Sequence, residues 1–253
     1  MSFRVVIPAR YSSERLPGKP LADIHGKPMI VRVAEAATAS KAEEVVVATD
    51  DERIAAAVEA AGFAAQMTRA DHASGSDRVM EVVDARGWDE DELVLNVQGD
   101  EPLIPPGVLN QLADVLASQP TVASATLCEP IETFAELSDP NLVKVVRAAD
   151  QRALYFSRAP IPYGRDHFSG IHEGLLPGEG QWWRHIGVYG YRCWALRKFV
   201  SLPVAELETL ERLEQLRLLE NGLDMLVLEA CEPVRGGVDT PEDLQRVRDQ
   251  LQP

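Results

Sequence analysis

The amino-acid sequence predicts an α/β fold built on a mostly parallel central sheet. Short, β-branched apolar runs at 5–7, 45–47 and 93–97 read as buried strands, and amphipathic helical patterns separate them. Strands and helices that alternate in this way form parallel sheets through right-handed crossovers. The chain's 253 residues should bury roughly 70–75% of the extended-chain surface, which suits one large domain or a main domain with a smaller lobe.

The elements follow in order. After the strand at 5–7, residues 29–40 read as a helix with Ile30, Val33, Ala34 and Ala37 on one face. A strand at 45–47 precedes a helix over 51–61 that Gly62 stops. A short strand at 64–67 and a helix over 76–84, with Asp77 and Arg78 in its first turn, come before the strand at 93–97. Pro106 opens a helix to Ser118, where a missing N–H costs least. Beyond about Ser124 the rhythm changes to short strands at 123–127, 143–147, 153–156 and 187–191. Residues 160–183 form a long Gly/Pro/His-rich loop, the kind that serves as a lid or binding loop. Leu207, Leu210, Leu213 and Leu216 predict one helix over 207–221, and a strand at 225–228 and a helix from Pro241 close the chain. No repeat or interdomain linker is visible, so 1–253 reads as a single domain.

Composition excludes several functions. Hydrophobic residues at 45% and charged residues at 26% are ordinary globular usage. The net charge of −15 argues against nucleic-acid and anionic-membrane partners. Cys128, Cys193 and Cys231 are far apart, odd in number and without zinc spacing, so a reducing, cytoplasmic setting is expected. The N-terminal apolar run is too short for a signal peptide, and nothing approaches a membrane span.

Against this acidic background the first twenty residues carry Arg4, Arg10, Arg15 and Lys19 with one acid, Glu14. A basic loop at a strand's carboxyl end suits a phosphate, with forked donors from Arg and a point charge from Lys. It is neither a Walker A loop, since Gly18-Lys19 precedes proline, nor GxGxxG. The segment 96–102 puts Asp100 after a buried strand, placed to hold Mg²⁺ or to make an ordinary turn. Asp239, before Thr240-Pro241, reads equally as a metal ligand or a helix cap. The segment 68–78 offers small polar residues, Gly75 and Arg78 to a nucleotide, with Ser76 as N-cap. His185 beside an apolar strand reads as structural, and His167 and His172 as solvated. Trp182-Trp183 packs the long loop down or forms an interface, and most of Glu206, Glu208, Glu211, Glu214 and Glu220 make a solvated helix face. No Ser/His/Asp or Cys/His nucleophile pattern is present.

These blocks together resemble the CMP-Kdo synthetase (3-deoxy-manno-octulosonate cytidylyltransferase) family, nearly end to end. The resemblance is carried by Arg10-Tyr-x-Ser-x-Arg15-Leu-Pro-Gly-Lys-Pro-Leu, Val47-Ala-Thr-Asp50, Thr68-Arg-Ala-Asp-His-x-Ser-Gly75 and Asn96-Val-Gln-Gly-Asp-Glu-Pro102. It continues through Val143-Lys-Val-Val146, Tyr155-Phe-Ser-Arg158, His185-Ile-Gly-Val-Tyr-Gly-Tyr191, Leu213-Glu-Gln-Leu-Arg217 and Gly237-Val-Asp-Thr-Pro-Glu-Asp-Leu244. It implies a Rossmann-like nucleotidyltransferase fold with a smaller substrate-binding and dimerisation lobe. Residues 1–125 would mainly bind CTP, 126–222 form the sugar and dimer lobe, and 223–253 return to the main sheet. The implied reaction joins CTP and Kdo into CMP-Kdo and pyrophosphate for lipopolysaccharide synthesis, in a cytoplasmic homodimer that uses Mg²⁺.

The resemblance further implies roles residue by residue. Asp100 and Asp239 would be the metal carboxylates, acting in catalysis with Arg10 and Lys19. Arg10, Arg15 and Lys19 would face the triphosphate, with Thr68, Arg69, Ser74, Gly75, Arg78 and Gln98 holding the nucleotide. Gln98, Arg158, His185, Tyr189, Glu214 and Gln215 would bind the sugar. Alternatives are another acid sugar, such as 8-amino-Kdo or sialic acid, and a metal-dependent glycosyltransferase. That last class uses Asp-x-Asp, where this chain has Gln98-Gly99-Asp100. A non-catalytic sugar-nucleotide sensor would not need both aspartates and the basic loop.

Overall fold

The structure, a computed structural model, describes residues 2–12, 16–166, 168, 174–177 and 181–251. Arg15, His167 and His172 therefore lie outside the described residues. The first half alternates as expected: β1 (Phe3–Ala9), α1 (Met29–Thr38), β4 (Glu44–Thr49), α2 (Glu52–Ala60), β5 (Ala64–Met67), α3 (Gly75–Arg86), β6 (Leu93–Asn96) and α4 (Pro106–Ser118). Between β1 and α1 lie a 3-10 turn (Lys19–Leu21) and a small hairpin, β2 (Asp23–Ile24) with β3 (Lys27–Pro28). Then follow β7 (Ser124–Ile131), α5 (Phe134–Ser138), β8 (Lys144–Arg147), β9 (Ala153–Ser157), β10 (Trp182–Arg192), α6 (Cys193–Ser201), α7 (Glu206–Glu211), α8 (Leu216–Glu220), β11 (Met225–Glu229) and α9 (Pro241–Gln250).

The main sheet has the order β11-β7-β10-β6-β1-β4-β5, with the β8–β9 pair attached to β10. β6, β1, β4 and β5 are mutually parallel, as are β11 and β7, so the mostly parallel sheet expected from the sequence is present. One core packs α1 and α4 with the residues of one sheet face, including Val5, Ile7 and Leu95. The other packs α3 and α6 with Val6, Val94 and Tyr191. Val5 and Val6 are both fully buried, the mark of a strand covered on its two faces.

β10 is the exception that shapes the site. It is antiparallel to both neighbours, with Arg192 opposite Leu93 and Tyr189 opposite Asn96. Residues 182–188 therefore run past the carboxyl end of β6. A bulge between Ile186 and Tyr189 shifts its register against β7, and the strand is longer than the 187–191 expected. Trp182 and Trp183 are both buried; Trp182 Nε1 donates to the Pro162 carbonyl (2.8 Å), which ties the long loop to the sheet.

The single helix expected over 207–221 is instead two, α7 and α8. Arg212 between them is left-handed (φ 55°), and the Leu213 amide donates to the Glu208 carbonyl (3.2 Å). Helix geometry gives the reason. A leucine every third residue drifts around the helix, so Leu207 and Leu216 would face about 180° apart on one straight helix. The break buries Leu213, Leu216 and Leu218 and leaves Leu210 72% exposed. A left-handed non-glycine costs about 1–2 kcal/mol, less than the burial of even one or two leucines returns at about 1.5–3 kcal/mol each. The break also removes the solvated acidic face expected there: Glu208 pairs with the buried Arg217, Glu211 with Ser157 and the Arg158 amide, and Glu214 with Ser76. Leu213→Ala should lower stability by about 2–5 kcal/mol, whereas Leu210→Ala should stay within about 0.5 kcal/mol. Equal losses in urea unfolding would contradict the break.

Candidate active site

The parallel strands β1, β4, β5 and β6 end together, and the segments following β1, β5 and β6 enclose a cleft of about 250 Å³. Its walls are Pro8 and Ala9 at the end of β1, Arg10 and Ser12 after it, Lys19 and Pro20, Gly75 at the start of α3, and Gln98–Asp100 after β6. A crevice at strand carboxyl ends is where open α/β sheets bind ligands.

Two carboxylates from distant parts of the chain meet here. Lys19 Nζ donates to Asp100 Oδ2 (2.6 Å) and to Asp239 Oδ1 (3.1 Å). Lys19 is buried, Asp100 is partly open to the cleft, and Asp239 is exposed beside it. The backbone sets this convergence: the Val238 amide donates to the Asp100 carbonyl (2.9 Å) and fastens the segment before α9 to the loop after β6. Glycine is required twice in this packing. A Cβ at Gly237 would lie 2.9 Å from both the Asp100 carbonyl and Glu101 Oε1, and one at Gly99 would lie 2.9 Å from the Pro8 carbonyl. The cap of α9 is Thr240, in a capping box with Asp243, so Asp239 is not the helix's N-cap.

The donor set suits a hard divalent cation. Two carboxylates reach one cationic group, and oxygen is the donor such a metal takes. Among the described residues no cluster of three or more acidic, His or Cys side chains gathers, so further ligands would be phosphate oxygens and water. Glu101 sits directly beside the pair with its Oε2 buried and without a partner. Burial foremost, and then the Asp100 charge, raises its pKa to about 8. Sequence reasoning passed over this acid; its signal was a second carboxylate in the 96–102 block, directly after Asp100.

The nucleotide-side residues divide. Arg10, Lys19, Gly75 and Gln98 line the cleft. Arg10 Nη2 also donates to the His72 carbonyl (2.7 Å), and Gln98 Nε2 to Asn96 Oδ1 (3.4 Å). Ser74, rather than Ser76, is the N-cap of α3. Arg78 is fully buried and bound to Thr68 and Asp50 (3.1 Å to the latter), so these three brace one another behind the cleft. Arg69 is exposed and paired with Asp71 (3.0 Å).

The sugar-side residues form a second group against the first. Ser76, next to Gly75, donates to Glu214 (2.9 Å), and Tyr189 lies opposite Asn96. Ser76 and Asn96, the links between the two groups, were also missed; Asn96 sits two residues before Gln98, the spacing of one strand face. His185 lies beside Tyr189 (ring centroids 5.4 Å) and edge-on to Phe156 (4.8 Å). Gln215 is buried with Nε2 unpartnered. Burial raises the pKa of Glu214 despite the Ser76 hydrogen bond and Arg217, and raises that of Tyr189 with help from Glu214. Arg158 is held elsewhere, with Nε on the Glu211 carbonyl and Nη1 on that of Pro140 (2.8 Å each).

His185 is half-buried, and desolvation lowers its pKa to about 3. The Thr126 hydroxyl lies within hydrogen-bond reach of the Ile186 and Val188 carbonyls (2.9 and 2.8 Å). Giving its one proton to these, it accepts from a neutral His185 Nε2–H (2.9 Å).

An open α/β sheet with basic residues and paired carboxylates at its strand ends suits a polyphosphate ligand. The chain belongs to the cytidylyltransferase family, whose profile matches residues 4–226. It is 54% identical over 248 residues to a 3-deoxy-manno-octulosonate cytidylyltransferase of Cellvibrio japonicus, covering 98% of this chain and 97% of that one. It is 53% identical over 251 residues to the enzyme of the same name from Alcanivorax borkumensis, covering 99% of each. A solved structure of CMP:2-keto-3-deoxy-manno-octonic acid synthetase complexed with CTP superposes with a TM-score of 0.89 at 43% identity, covering 99% of this chain and 98% of that one. A cytidylyltransferase from Leptospira borgpetersenii shares the fold at 17% identity, with a TM-score of 0.62 over 98% of this chain and 85% of that one.

The His185 environment predicts a pH effect on stability. An unfolded imidazole takes up its proton near pH 6.5, roughly, but this one does so near 3. Between these values the unfolded state holds the extra proton, so stability falls as pH drops through that window. Urea midpoints should decline from pH 6.5 to 4 and decline less steeply in His185→Gln. Identical slopes would mean the ring is not held neutral.

Proposed function

We propose that this chain is a 3-deoxy-manno-octulosonate cytidylyltransferase, forming CMP-Kdo and pyrophosphate from CTP and Kdo. Full-length identity of 53–54% to enzymes of that name supports the substrates. The observation that carries the site assignment is the meeting of Asp100 and Asp239 at Lys19, which lines the cleft together with Asp100 and Arg10.

The anomeric hydroxyl oxygen of Kdo bonds to the α-phosphorus, the α–β bridging P–O bond breaks, pyrophosphate departs, and the hydroxyl loses its proton. Such transfers depend mainly on positioning and charge neutralisation, without an enzyme nucleophile. Arg10 and Lys19 face the triphosphate and oppose its charge. Gly75 and Gln98 border the space between nucleotide and sugar. Glu214, Gln215, Tyr189 and His185 offer acceptors and donors to a polyol, with His185 neutral and unable to repel or attract charge. Arg158 has Nε and Nη1 committed to the Glu211 and Pro140 carbonyls and is given no part in this group. Asp100 and Asp239 would hold Mg²⁺, which supplies charge neutralisation at the phosphates and a lower hydroxyl pKa. The reading includes a homodimer and a cytoplasmic location. No helix among the described residues is long and apolar enough to cross a membrane.

Pyrophosphate release should require both CTP and Kdo, and no further acceptor. Asp100→Asn and Asp239→Asn should each cut turnover by orders of magnitude while the protein stays folded. Near-normal turnover in either variant at saturating Mg²⁺ would remove that residue from the metal role. Preference for sialic acid or 8-amino-Kdo over Kdo would overturn the substrate assignment.

A further inference from the structure

One cation of the cleft wall, Arg10, is bonded by a main-chain oxygen of the 68–74 loop. Residues 68–74 lie along the first turns of α3, which hold them at three levels. Asp77 closes the capping box on Ser74, Arg78 binds the Thr68 hydroxyl, and Glu81, one turn beyond Asp77, takes the middle of the loop. Glu81 Oε2 accepts from the Arg69 amide (3.1 Å) and from His72 Nε2. Both ends of the 69–72 turn are thus pinned to one carboxylate oxygen. The His72 ring is nearly enclosed, its side chain 7% exposed. The His72 carbonyl accepts from Arg10 Nη2 at 2.7 Å.

We propose that Glu81 is a positioning residue for nucleotide binding, acting through His72 to fix the Arg10 guanidinium in the cleft. The inference rests on the reading of Arg10 as a triphosphate ligand. An arginine side chain has many rotamers, and ordering it on binding costs affinity. A carbonyl that already holds one of its nitrogens removes part of that cost, but only while the carbonyl itself is fixed. Nothing in the 69–72 turn fixes it as directly as Glu81 does, because Arg69 and Asp71 pair with each other in solvent. Burial pushes the Glu81 carboxyl up, yet the bonds from His72 and the Arg69 amide bring its pKa below the ordinary value, so it is an ionised acceptor at neutral pH. Glu81 touches no cleft surface itself: it borders a separate open groove with His72 and Asp77, so its effect on CTP has to pass through the loop.

Steady-state kinetics on Glu81→Ala, Glu81→Gln, Arg10→Ala and the Glu81→Ala/Arg10→Ala double variant test this. Glu81→Ala should raise KM for CTP about tenfold and leave KM for Kdo within twofold. Glu81→Gln, whose amide oxygen still accepts, should recover most of the loss. The double variant should be no worse than Arg10→Ala alone, since neighbours acting through one contact are not additive. If Glu81→Ala does not fold, His72→Ala cuts the same link and should give the same pattern. Losses that multiply in the double variant, an equal rise in both KM values, or an unchanged KM for CTP in Glu81→Ala would overturn the relay. An unchanged KM for CTP in Arg10→Ala would instead remove Arg10 from the triphosphate, and the relay with it.

Discussion

The site depends on one cation held between two anions. Asp100 and Asp239 lie 81 and 220 positions beyond Lys19 in the chain, yet one ammonium bonds both carboxylates. Bringing two acids together inside a protein is unfavourable unless a positive group stands between them. Here the neutralising group comes from the loop after β1, the first acid from the loop after β6, and the second from the segment entering α9. Adjacent parallel strands bring the first two together, and the backbone bond from Val238 to Asp100 brings the third. The same arrangement that makes the fold tolerable electrostatically leaves a carboxylate pair beside the cleft that Arg10 and Lys19 line.

Around that centre the chain separates tasks by element. α3 serves as a scaffold for the 68–74 loop: its buried or half-buried charges, Asp77, Arg78 and Glu81, are directed at the loop rather than at solvent. That division explains why Thr68 and Arg78, polar and close to the cleft, are nevertheless buried against each other and Asp50. β10 does the corresponding work on the other side. Running against its neighbours, it overshoots β6 and carries His185 beyond the strand ends, while Thr126 fills the polar gap that the bulge opens. Ser76 to Glu214 and Asn96 to Gln98 then join the two halves into one surface.

The local rules written in the chain were sufficient for the strand–helix order of residues 3–118. β-branched runs have few ways to be buried, and Pro106 and Gly62 mark helix limits by backbone chemistry alone. They were sufficient, too, for the basic loop after β1 and the acid after β6, because a reversal of charge sign and a Gly-Asp step are features of contiguous residues. They failed at 207–221, where leucine spacing alone could not reveal that both faces of one helix cannot reach the same core. They also misplaced the α3 cap by two residues, since Ser74 and Ser76 are equivalent as hydroxyls and differ only in what lies across from them.

Tertiary structure alone decided which polar groups face one another. Nothing near Asp239 in the chain distinguishes a helix cap from a cleft carboxylate; the distinction arises because Thr240 takes the cap and the Gly237 backbone packs against Asp100. Likewise nothing near Glu81 in the chain marks it as a partner of His72 and Arg69; the fold alone brings them together. Sequence determines what each residue can offer and the period with which it offers it. Electrostatic pairing is fixed by distances through space, and those exist only once the sheet has brought its strand ends together.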